Sequence, residues 1–262
     1  MLFLVAIFSL LSFTVHADNN KDNYLDLMKK CLMNSIYQDS GHNGNTYQSE
    51  VRENGRDWPS TAHTMIGLHR LNNLQDCVED VLKNNIEGDL IETGVWRGGA
   101  SIFMRAILKA YDNTEKKVFV ADSFEGLPVA NVALYPIDAS IGFLADCKIL
   151  AVSLPQVQSN FARYGLLDNQ VVFLKGWFCD TLPTAPIERL AIMRLDGDYY
   201  ESTMDALISL YPKLSVGGYV IIDDYWIPCC AQAVHDFRRT FNITDEIIKT
   251  KDLQGAFWKR TK

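Results

Sequence analysis

Five short runs of β-branched and other apolar residues alternate with helical patterns through the last two-thirds of the chain. The runs cover residues 88–96, 116–124, 171–178, 188–197 and 217–226. Helical patterns lie between them at residues 99–111, 153–165 and 202–214. Such nearly continuous apolar runs are typical of strands buried on both faces of a parallel sheet. We therefore expect an open α/β sheet with right-handed crossovers, which binds its ligands outside the carboxyl ends of the strands.

The residues before this region predict helices and a loop. Residues 24–37 repeat apolar side chains at the period of an amphipathic helix. Residues 38–59 are polar and rich in glycine and asparagine, which predicts a flexible loop or lid. Residues 60–85 predict one or two helices, with Ser60 or Thr61 as the N-cap.

The first residues read as a secretory signal peptide. An apolar stretch from Leu2 to Val15 precedes small-residue spacing at Val15 and Ala17, so we expect a signal peptide over residues 1–17. Its n-region lacks lysine and arginine, which leaves a membrane anchor or a mis-assigned start as alternatives. With the signal, the mature protein is secreted, lumenal or periplasmic, and Asn242 in "NIT" becomes a possible glycan acceptor. Without it, the protein is cytoplasmic.

The remaining chain divides into two parts. Residues 18–87 are expected to form an N-terminal helical and lid segment, and residues 88–262 the α/β core. Within the core, residues 246–260 predict a terminal antiparallel hairpin with its turn at Gln254-Gly255.

Composition narrows the class of partner. The 262 residues are 48% apolar, carry a net charge of -7 and contain no lysine- or arginine-rich run. This argues against nucleic acid or an anionic membrane surface and favours a small-molecule substrate. Six cysteines are too sparse for a disulfide scaffold, and one or two bridges or buried free thiols both remain open.

Four carboxylates stand where two consecutive apolar runs end. Asp196 and Asp198 follow one run, and Asp223 and Asp224 follow the next. Because the carboxyl ends of parallel strands share one edge, these side chains are expected in one crevice. Oxygen ligands of this kind suit magnesium, so Asp196, Asp223 and Asp224 predict a metal site, with Asp198 as the general base. The alternative is a plain turn and a solvated strand end.

A glycine-rich turn follows the first strand. The sequence "ETGVWRGGAS", residues 92–101, lacks the dinucleotide pattern G-x-G-x-x-G and resembles motif I of class I S-adenosylmethionine-dependent methyltransferases. Gly94 and Gly98 would allow close approach of the cofactor, and Asp122 stands where an acid would accept hydrogen bonds from the ribose. Asp180 could line the adenine or sulfonium region or be a loop cap. A structural glycine turn beside an acidic loop is the alternative.

Longer segments resemble the macrocin O-methyltransferase family, metal-dependent enzymes that methylate sugar hydroxyls in macrolide and aminocoumarin antibiotics, and especially its noviose-methylating members. The resemblance extends from about Tyr24 to Lys259 and is carried by residues 58–75, 91–106, 121–128, 161–183, 194–207 and 217–225. It implies a Rossmann-like class I methyltransferase fold, S-adenosylmethionine and Mg²⁺ as cofactors, and a homo-oligomer.

The resemblance also implies roles for individual residues. The implied metal ligands are Asp196, Asp223 and Asp224, and Asp198 is the implied base. The implied cofactor contacts are Thr64, Met65, Glu92, Thr93, Gly94, Val95, Trp96, Asp122, Ser123, Phe124, Glu125, Gly126, Ser153 and Asp180. Residues 131–151 are expected to fold over the acceptor. A secretory signal departs from the family's cytoplasmic members and puts the compartment and the physiological substrate in question.

Two other functions stay open. Methylation of a catechol-type phenol also uses an acid-held metal beside a class I fold, whereas a sugar hydroxyl needs the stronger base arrangement that Asp198 offers. A non-catalytic protein that binds S-adenosylmethionine is the second, and the four intact acids argue against it. Tyr199 and Tyr200 could stack on a sugar or pack internally; His235 is read as a helix-face residue, and His63 could adjoin the cofactor.

Overall fold

The structure is a computed structural model and describes residues 20–262; the predicted signal peptide lies outside this range. The helices are α1 (residues 20–32), α2 (Ser49–Glu53), α3 (Leu68–Lys83), α4 (Gly99–Ala110), α5 (Leu154–Arg163), α6 (Phe178–Thr181), α7 (Tyr200–Leu210) and α8 (Pro228–Thr240). The strands are β1 (Asp89–Thr93), β2 (Val118–Asp122), β3 (Val171–Lys175), β4 (Leu190–Leu195), β5 (Leu214–Ile222), β6 (Ile248–Lys249) and β7 (Ala256–Lys259). Short 3-10 helices cover Pro136–Asp146, Lys148–Leu150 and Tyr211–Lys213.

One sheet of seven strands organises the molecule, in the order β3-β2-β1-β4-β5-β7-β6. The first five strands are parallel, and β7 pairs antiparallel with both β5 and β6. The predicted α/β sheet and terminal hairpin are confirmed. The order reverses between β1 and β4, which places the expected ligand crevice there.

The core lies on both faces of the sheet. One cluster joins α1, α3, α4 and α5 to the sheet and includes Leu25, Leu74 and Phe103. The other joins α7 and α8 to the opposite face and includes Leu207 and Phe237. Because α1 and α3 pack into the same cluster as β1 and β2, the N-terminal segment shares its core with the sheet. Within residues 20–262, no helix has the length and apolarity needed to span a bilayer.

The prediction of Ser60 or Thr61 as a helix cap is wrong. The helix α3 begins at Leu68, and its N-cap is Gly67. A Cβ at Gly67 would stand 2.1 Å from the Glu53 carbonyl oxygen, so only glycine fits. Thr61 instead bonds the carboxylate of Asp39, with its backbone nitrogen 2.6 Å from Oδ2.

The predicted loop at residues 38–59 contains the short helix α2 and is fastened by a buried arginine. Arg52 is fully buried. Its guanidinium bonds Asp39 at 2.8 Å, Asp57 at 2.8 Å and the Met33 carbonyl at 2.6 Å. A buried cation with this many partners gives a polar segment a defined fold, which glycine and asparagine content alone does not reveal.

Replacing Asp39 with asparagine is expected to lower the free energy of unfolding at pH 7 by about 3 kcal/mol, because it leaves Arg52 short of one buried counter-charge. Burial raises the pKa of Asp39, but hydrogen bonds from Arg52 and Thr61 outweigh it and lower that pKa to about 2. The stabilisation is therefore complete above the unfolded pKa of about 4 and is lost as pH falls toward 2. Urea unfolding at pH 7 and pH 3 should show a smaller difference between variant and wild type at pH 3. A constant difference would contradict the charge-based account.

All six cysteines are free thiols, and Cys77, Cys229 and Cys230 are buried. The sequence left open whether the cysteines form one or two disulfides or stay free, and in this structure they are free.

Candidate active site

Backbone hydrogen bonds between neighbouring strands place the acidic residues side by side at the carboxyl ends of the strands. The first residue after each strand still donates to the neighbouring strand: Gly94 N to Ala121 O, Asp196 N to Thr93 O and Asp223 N to Leu195 O, each at 2.9 Å. The loops after β1, β4 and β5 therefore start side by side. The sequence prediction that the acids after two consecutive strands share one crevice agrees with this arrangement.

A cavity of about 550 Å³ opens at this edge. It is lined by all four acids, Asp196, Asp198, Asp223 and Asp224. The predicted cofactor residues that line it are Thr64, Met65, Glu92, Gly94, Val95, Trp96, Asp122, Ser123 and Gly126. Its apolar side includes Trp58, Ile141, Phe143, Leu144 and Trp226. Residues far apart in the sequence thus meet around one space.

Five of the predicted cofactor residues are not among those that line the cavity. Thr93 is fully buried in β1, and Phe124 packs against Phe173 with ring centroids 6.3 Å apart. Glu125 pairs with Lys175 at 3.3 Å. The remaining two are Ser153, the N-cap residue of α5, and Asp180, within α6. Their roles as cofactor contacts stay predictions.

Three of the four acids converge. Asp196, Asp198 and Asp224 each offer a carboxylate oxygen, and these oxygens lie within 4.8 Å of one another. The Asp198 backbone nitrogen also donates to Asp224 Oδ2 at 3.1 Å. Asp223 instead directs both its carboxylate oxygens at guanidinium groups, those of Arg70 and Arg194. The structure therefore brings Asp198 into the cluster, whereas Asp223 belongs to an ion-pair network beside it.

Crowding changes the proton affinity of the cluster. Burial and the Asp223 carboxylate raise the pKa of Asp196 to about 6. Burial, to which repulsion from the Asp196 and Asp223 carboxylates adds, raises the pKa of Asp198 to about 8. Burial, to which repulsion from the Asp198 and Asp196 carboxylates adds, raises the pKa of Asp224 well above its ordinary value. The group holds more negative charge than its protein surroundings compensate, which favours binding of a proton or a cation.

A buried network of alternating charges supports the cluster. Arg194 in β4, 1% exposed, bonds Glu92 at 2.5 Å, Asp196 at 2.9 Å and also Asp223. Arg70 in α3 bonds Asp223 and, at 3.0 Å, Asp252. The network ties α3, three parallel strands and the C-terminal hairpin together. Both guanidinium groups are already engaged by these acids, so the remaining negative charge of the cluster is left to a proton or a bound cation.

Sequence reasoning missed these two arginines. Arg194 lies in an apolar run where a charged residue has no place unless it is paired, and that was the available signal. Arg70 gave no such signal, because its partners are 153 and 182 residues away in the chain.

The cavity loops hold non-glycine residues in the left-handed backbone region. Trp96 has φ 48°, Phe124 has φ 57° and Asp198 has φ 56°. Aspartate tolerates this conformation, but for tryptophan it is unusual, and such residues cluster at functional sites. Trp96 is retained by a hydrogen bond from its indole nitrogen to the Ile149 carbonyl, at 2.8 Å. This bond joins the glycine-rich turn to residues 131–151.

Gly94 has no freedom to carry a side chain. Its φ is 79°, and a Cβ there would stand 1.7 Å from the Asp196 carbonyl oxygen. The first glycine of the turn therefore allows the loop after β1 to touch the loop after β4.

Thr64 and Met65 reach the cavity on a segment that Arg97 and Asp39 hold. Arg97 donates to the Ala62 carbonyl at 2.8 Å and to the Ser60 carbonyl at 3.0 Å. Asp39 accepts from the backbone nitrogens of Thr61 and Ala62. Neither residue was singled out from the sequence, although Arg97 stands within the glycine-rich motif.

The histidines and tyrosines left open by the sequence have structural partners. His63 Nδ1 lies 2.7 Å from Tyr164 Oη, and burial, with Arg163 and Arg97, lowers the pKa of His63 to about 4. His235 lies on α8 with its Nε2 3.1 Å from the Tyr225 hydroxyl, and it does not line the cavity. Tyr199 is buried, whereas Tyr200 is partly buried, bonds Asp236 at 3.2 Å and stacks on Tyr135; neither tyrosine lines the cavity.

Asp122→Ala is expected to weaken binding of S-adenosylmethionine roughly 10- to 100-fold, the equivalent of one or two charge-assisted hydrogen bonds. The Asp122 carboxylate accepts from Val95 N at 2.7 Å and from Phe124 N at 2.6 Å, so it shapes the turn as well as lining the cavity. Isothermal titration calorimetry measures the affinity. Asp89→Ala is the matched control. The Asp89 carboxylate also accepts from a backbone nitrogen, Lys117 N at 2.7 Å, but Asp89 lies at the start of β1, at the end of the sheet away from the cavity. Equal affinities of both variants and the wild type for S-adenosylmethionine would mean that the cofactor binds elsewhere.

The sheet has the class I methyltransferase fold: this strand order, an antiparallel C-terminal hairpin, and a cavity at the turns after β1, β2 and β4. Residues 40–260 match the family model described as Macrocin-O-methyltransferase (TylF). The chain belongs to this family and is an S-adenosylmethionine-dependent O-methyltransferase.

Known proteins similar to the chain agree with this assignment. Demethyldecarbamoylnovobiocin O-methyltransferase of Streptomyces niveus is 54% identical over 254 residues, 94% of this chain and 97% of that protein. A Streptomyces olivaceus 4'-O-methyltransferase of 8-demethyl-8-(2,3-dimethoxy-alpha-L-rhamnosyl)-tetracenomycin-C is 55% identical over 93% of this chain and 95% of its own length. The solved structure of the O-methyltransferase NovP is 54% identical, with a TM-score of 0.89 over 92% of this chain and 100% of that one.

Proposed function

We propose that the protein is a magnesium-dependent O-methyltransferase that acts on a hydroxyl group of a sugar or of a glycosylated small molecule. The observation that carries this proposal is the convergence of Asp196, Asp198 and Asp224 in the same cavity as the glycine-rich turn. An acidic cluster suits a cation and a proton acceptor, and the turn suits the methyl donor.

The glycine-rich side of the cavity fits the donor. Gly94, Val95 and Trp96 of the glycine-rich turn line the cavity together with Thr64 and Asp122, and the Asp122 carboxylate accepts a hydrogen bond from Val95 N. These residues would hold S-adenosylmethionine, which supplies a methyl group on a positively charged sulfonium centre. The excess negative charge of the neighbouring acids favours placement of that positive charge at their edge of the cavity.

The acidic side fits a hard divalent cation. Its donors are carboxylate oxygens that repel one another, and the nearby guanidinium groups are already committed to ion pairs. We propose that Asp196 and Asp224 hold magnesium from within the converging cluster, and that Asp223 joins them through the oxygen lone pairs that its bonds to Arg70 and Arg194 leave free. A bound cation supplies Lewis acidity, which lowers the pKa of a hydroxyl group beside it.

Asp198 is the proposed proton acceptor for that hydroxyl. It lies within the carboxylate cluster, and burial together with the neighbouring carboxylates raises its pKa, which gives it affinity for a proton. A carboxylate with its ordinary pKa near 4 is a weak base toward an alcohol, so a raised pKa helps this role.

The apolar side of the cavity fits the body of an acceptor. Trp58, Phe143 and Trp226 are all at least one-third exposed at the cavity, where a ring could stack on them. The names of two relatives give demethyldecarbamoylnovobiocin and a tetracenomycin C that carries a rhamnosyl group as their acceptors. We propose a glycoside as the acceptor on these grounds.

The predicted compartment and assembly remain proposals as well. A signal peptide at residues 1–17 would deliver the enzyme to a lumen, a periplasm or the exterior, and Asn242 is exposed just after α8 as a glycan acceptor would need to be. The homo-oligomer is proposed from the family resemblance.

The function is tested by mass spectrometry with isotopically labelled S-adenosylmethionine and a panel of glycosides, their aglycones and simple catechols. Each reaction is run with magnesium, with EDTA, and with EDTA followed by excess magnesium. We expect label in the sugar of at least one glycoside, loss of transfer with EDTA and its return with magnesium. Label on catechols alone would establish the phenol alternative, and unchanged transfer in EDTA would remove the metal from the mechanism. Donor binding without transfer to any acceptor would favour a binding protein.

A further inference from the structure

Asp138 is a fully buried carboxylate in the segment expected to cover the acceptor. It lies in the 3-10 helix Pro136–Asp146, which also supplies Ile141, Phe143 and Leu144 to the cavity. Asp138 itself does not line the cavity. Its charge therefore serves a contact within the protein, since an ionised group is seldom buried without partners.

The partner of Asp138 is the beginning of α7. The N-cap position of this helix is Tyr199, whose side chain forms no capping bond. Asp138 takes over that task from another part of the chain: Tyr200 N donates to its Oδ1 at 2.6 Å, and Glu201 N lies 3.3 Å from its Oδ2. A carboxylate at a helix N-terminus satisfies free N–H groups and interacts favourably with the helix dipole.

This capped turn begins two residues after Asp198. The Asp198 backbone is in the left-handed region, at φ 56°, and is restrained on both sides. Its nitrogen donates to Asp224, and its carbonyl accepts from the Cys229 thiol at 3.4 Å. Asp138 fixes the next stretch of backbone, so the direction of the Asp198 side chain depends on a residue from the covering segment.

We propose that Asp138 is a positioning residue for Asp198, and that through it the covering segment and the proton acceptor move as one unit. The inference rests on the proposed role of Asp198. Asp138 belongs to the segment over the acceptor and bonds the backbone just after Asp198. That segment therefore reaches its position over the acceptor only when Asp198 is in its own position. An acceptor held under a displaced cover would meet a displaced base.

The test compares Asp138→Ala with Asp138→Asn in the full chain. Asparagine keeps a carbonyl oxygen that can accept from Tyr200 N, whereas alanine removes the cap. We expect Asp138→Ala to lower kcat by roughly 100-fold, the effect of a displacement of about 1 Å at a reacting group. Affinity for S-adenosylhomocysteine should stay within about twofold of the wild type, because the turn after β1 is untouched. Asp138→Asn should recover most of kcat.

The matched control is Asp168→Ala, which breaks a 2.6 Å ion pair with the buried Arg105 at a distance from the cavity lining. It is expected to lower thermal stability while leaving kcat as in the wild type. Hydrogen exchange supplies a readout that needs no turnover: Asp138→Ala should speed exchange in peptides covering both residues 136–146 and residues 198–204, and Asp168→Ala should not.

Three results would overturn the inference: wild-type kcat in Asp138→Ala, an equal loss in the alanine and asparagine variants, or unchanged exchange in either peptide. Absence of turnover in the wild type on every acceptor would instead overturn the proposed function. The exchange experiment would still decide whether Asp138 couples the two segments.

Discussion

Asp198→Asn is expected to lower kcat roughly 1,000-fold, within the range for loss of a general base, while binding of S-adenosylmethionine stays unchanged. Asparagine has the shape of aspartate and also tolerates the left-handed backbone at this position, so the fold should persist. The amide cannot accept a proton from the acceptor hydroxyl. Steady-state kinetics by mass spectrometry measure kcat, and calorimetry measures donor affinity.

Asp112→Asn is the control for this substitution. Asp112 is also an aspartate with a positive φ, 50°, but it is exposed and follows α4. Its variant should behave as the wild type in both measurements. If Asp198→Asn retained wild-type kcat, another group would be the base, and the carboxylate cluster would serve binding alone.

Arg194→Met is expected to lower the free energy of unfolding by about 4 kcal/mol, because the neutral side chain leaves Glu92, Asp196 and Asp223 facing one another without their shared cation. Methionine fills a similar volume, so the loss reports charge more than packing. Urea unfolding at pH 7, followed by circular dichroism, measures it.

Arg189→Met is the comparison within the same region. Arg189 directly precedes β4, and its pair with Glu87 is exposed, with side chains 65% and 72% accessible. Exposed pairs contribute at most about 1 kcal/mol. Glu92→Gln added to Arg194→Met should restore part of the lost stability, since burial already raises the pKa of Glu92 to about 7. Equal stability of Arg194→Met and the wild type would mean that the buried acids are neutral in the folded protein.

The sheet and the shared edge of the acids were predictable because both depend on short-range pattern. Runs such as 118–122 and 190–195 are long enough to identify strands, and parallel strands place their carboxyl ends together whatever their order. The position of the glycine-rich turn followed in the same way. The prediction that Thr64 and Met65 bind the cofactor came from the family resemblance, since nothing local in the sequence marks these residues.

Side-chain pairing across long sequence separations was beyond the sequence. Arg70 and Asp252 are 182 residues apart, and Asp138 caps a helix that starts 62 residues later. No periodicity encodes such contacts, because each depends on how separate elements dock. Ser60 and Thr61 show the converse error: both have good capping chemistry, but the carboxylate of Asp39 binds them first. The division of labour among the acids, with Asp223 paired to arginine and Asp198 in the cluster, is a matter of side-chain direction that strand patterns do not specify.

The contact at Gly94 has a consequence for how enzymes of this type can acquire new acceptors. There is no room for even a methyl group between this glycine and the Asp196 carbonyl. The turn after β1, where we propose that the methyl donor binds, and the loop after β4 that carries Asp196 and Asp198 therefore cannot be altered independently. We expect variation compatible with catalysis at Phe143 and Trp226 instead, because both line the cavity, are more than half exposed and stand on separate connections. Retargeting the enzyme by mutagenesis should begin at these two aromatic residues, and libraries that diversify the turn after β1 should yield few active clones.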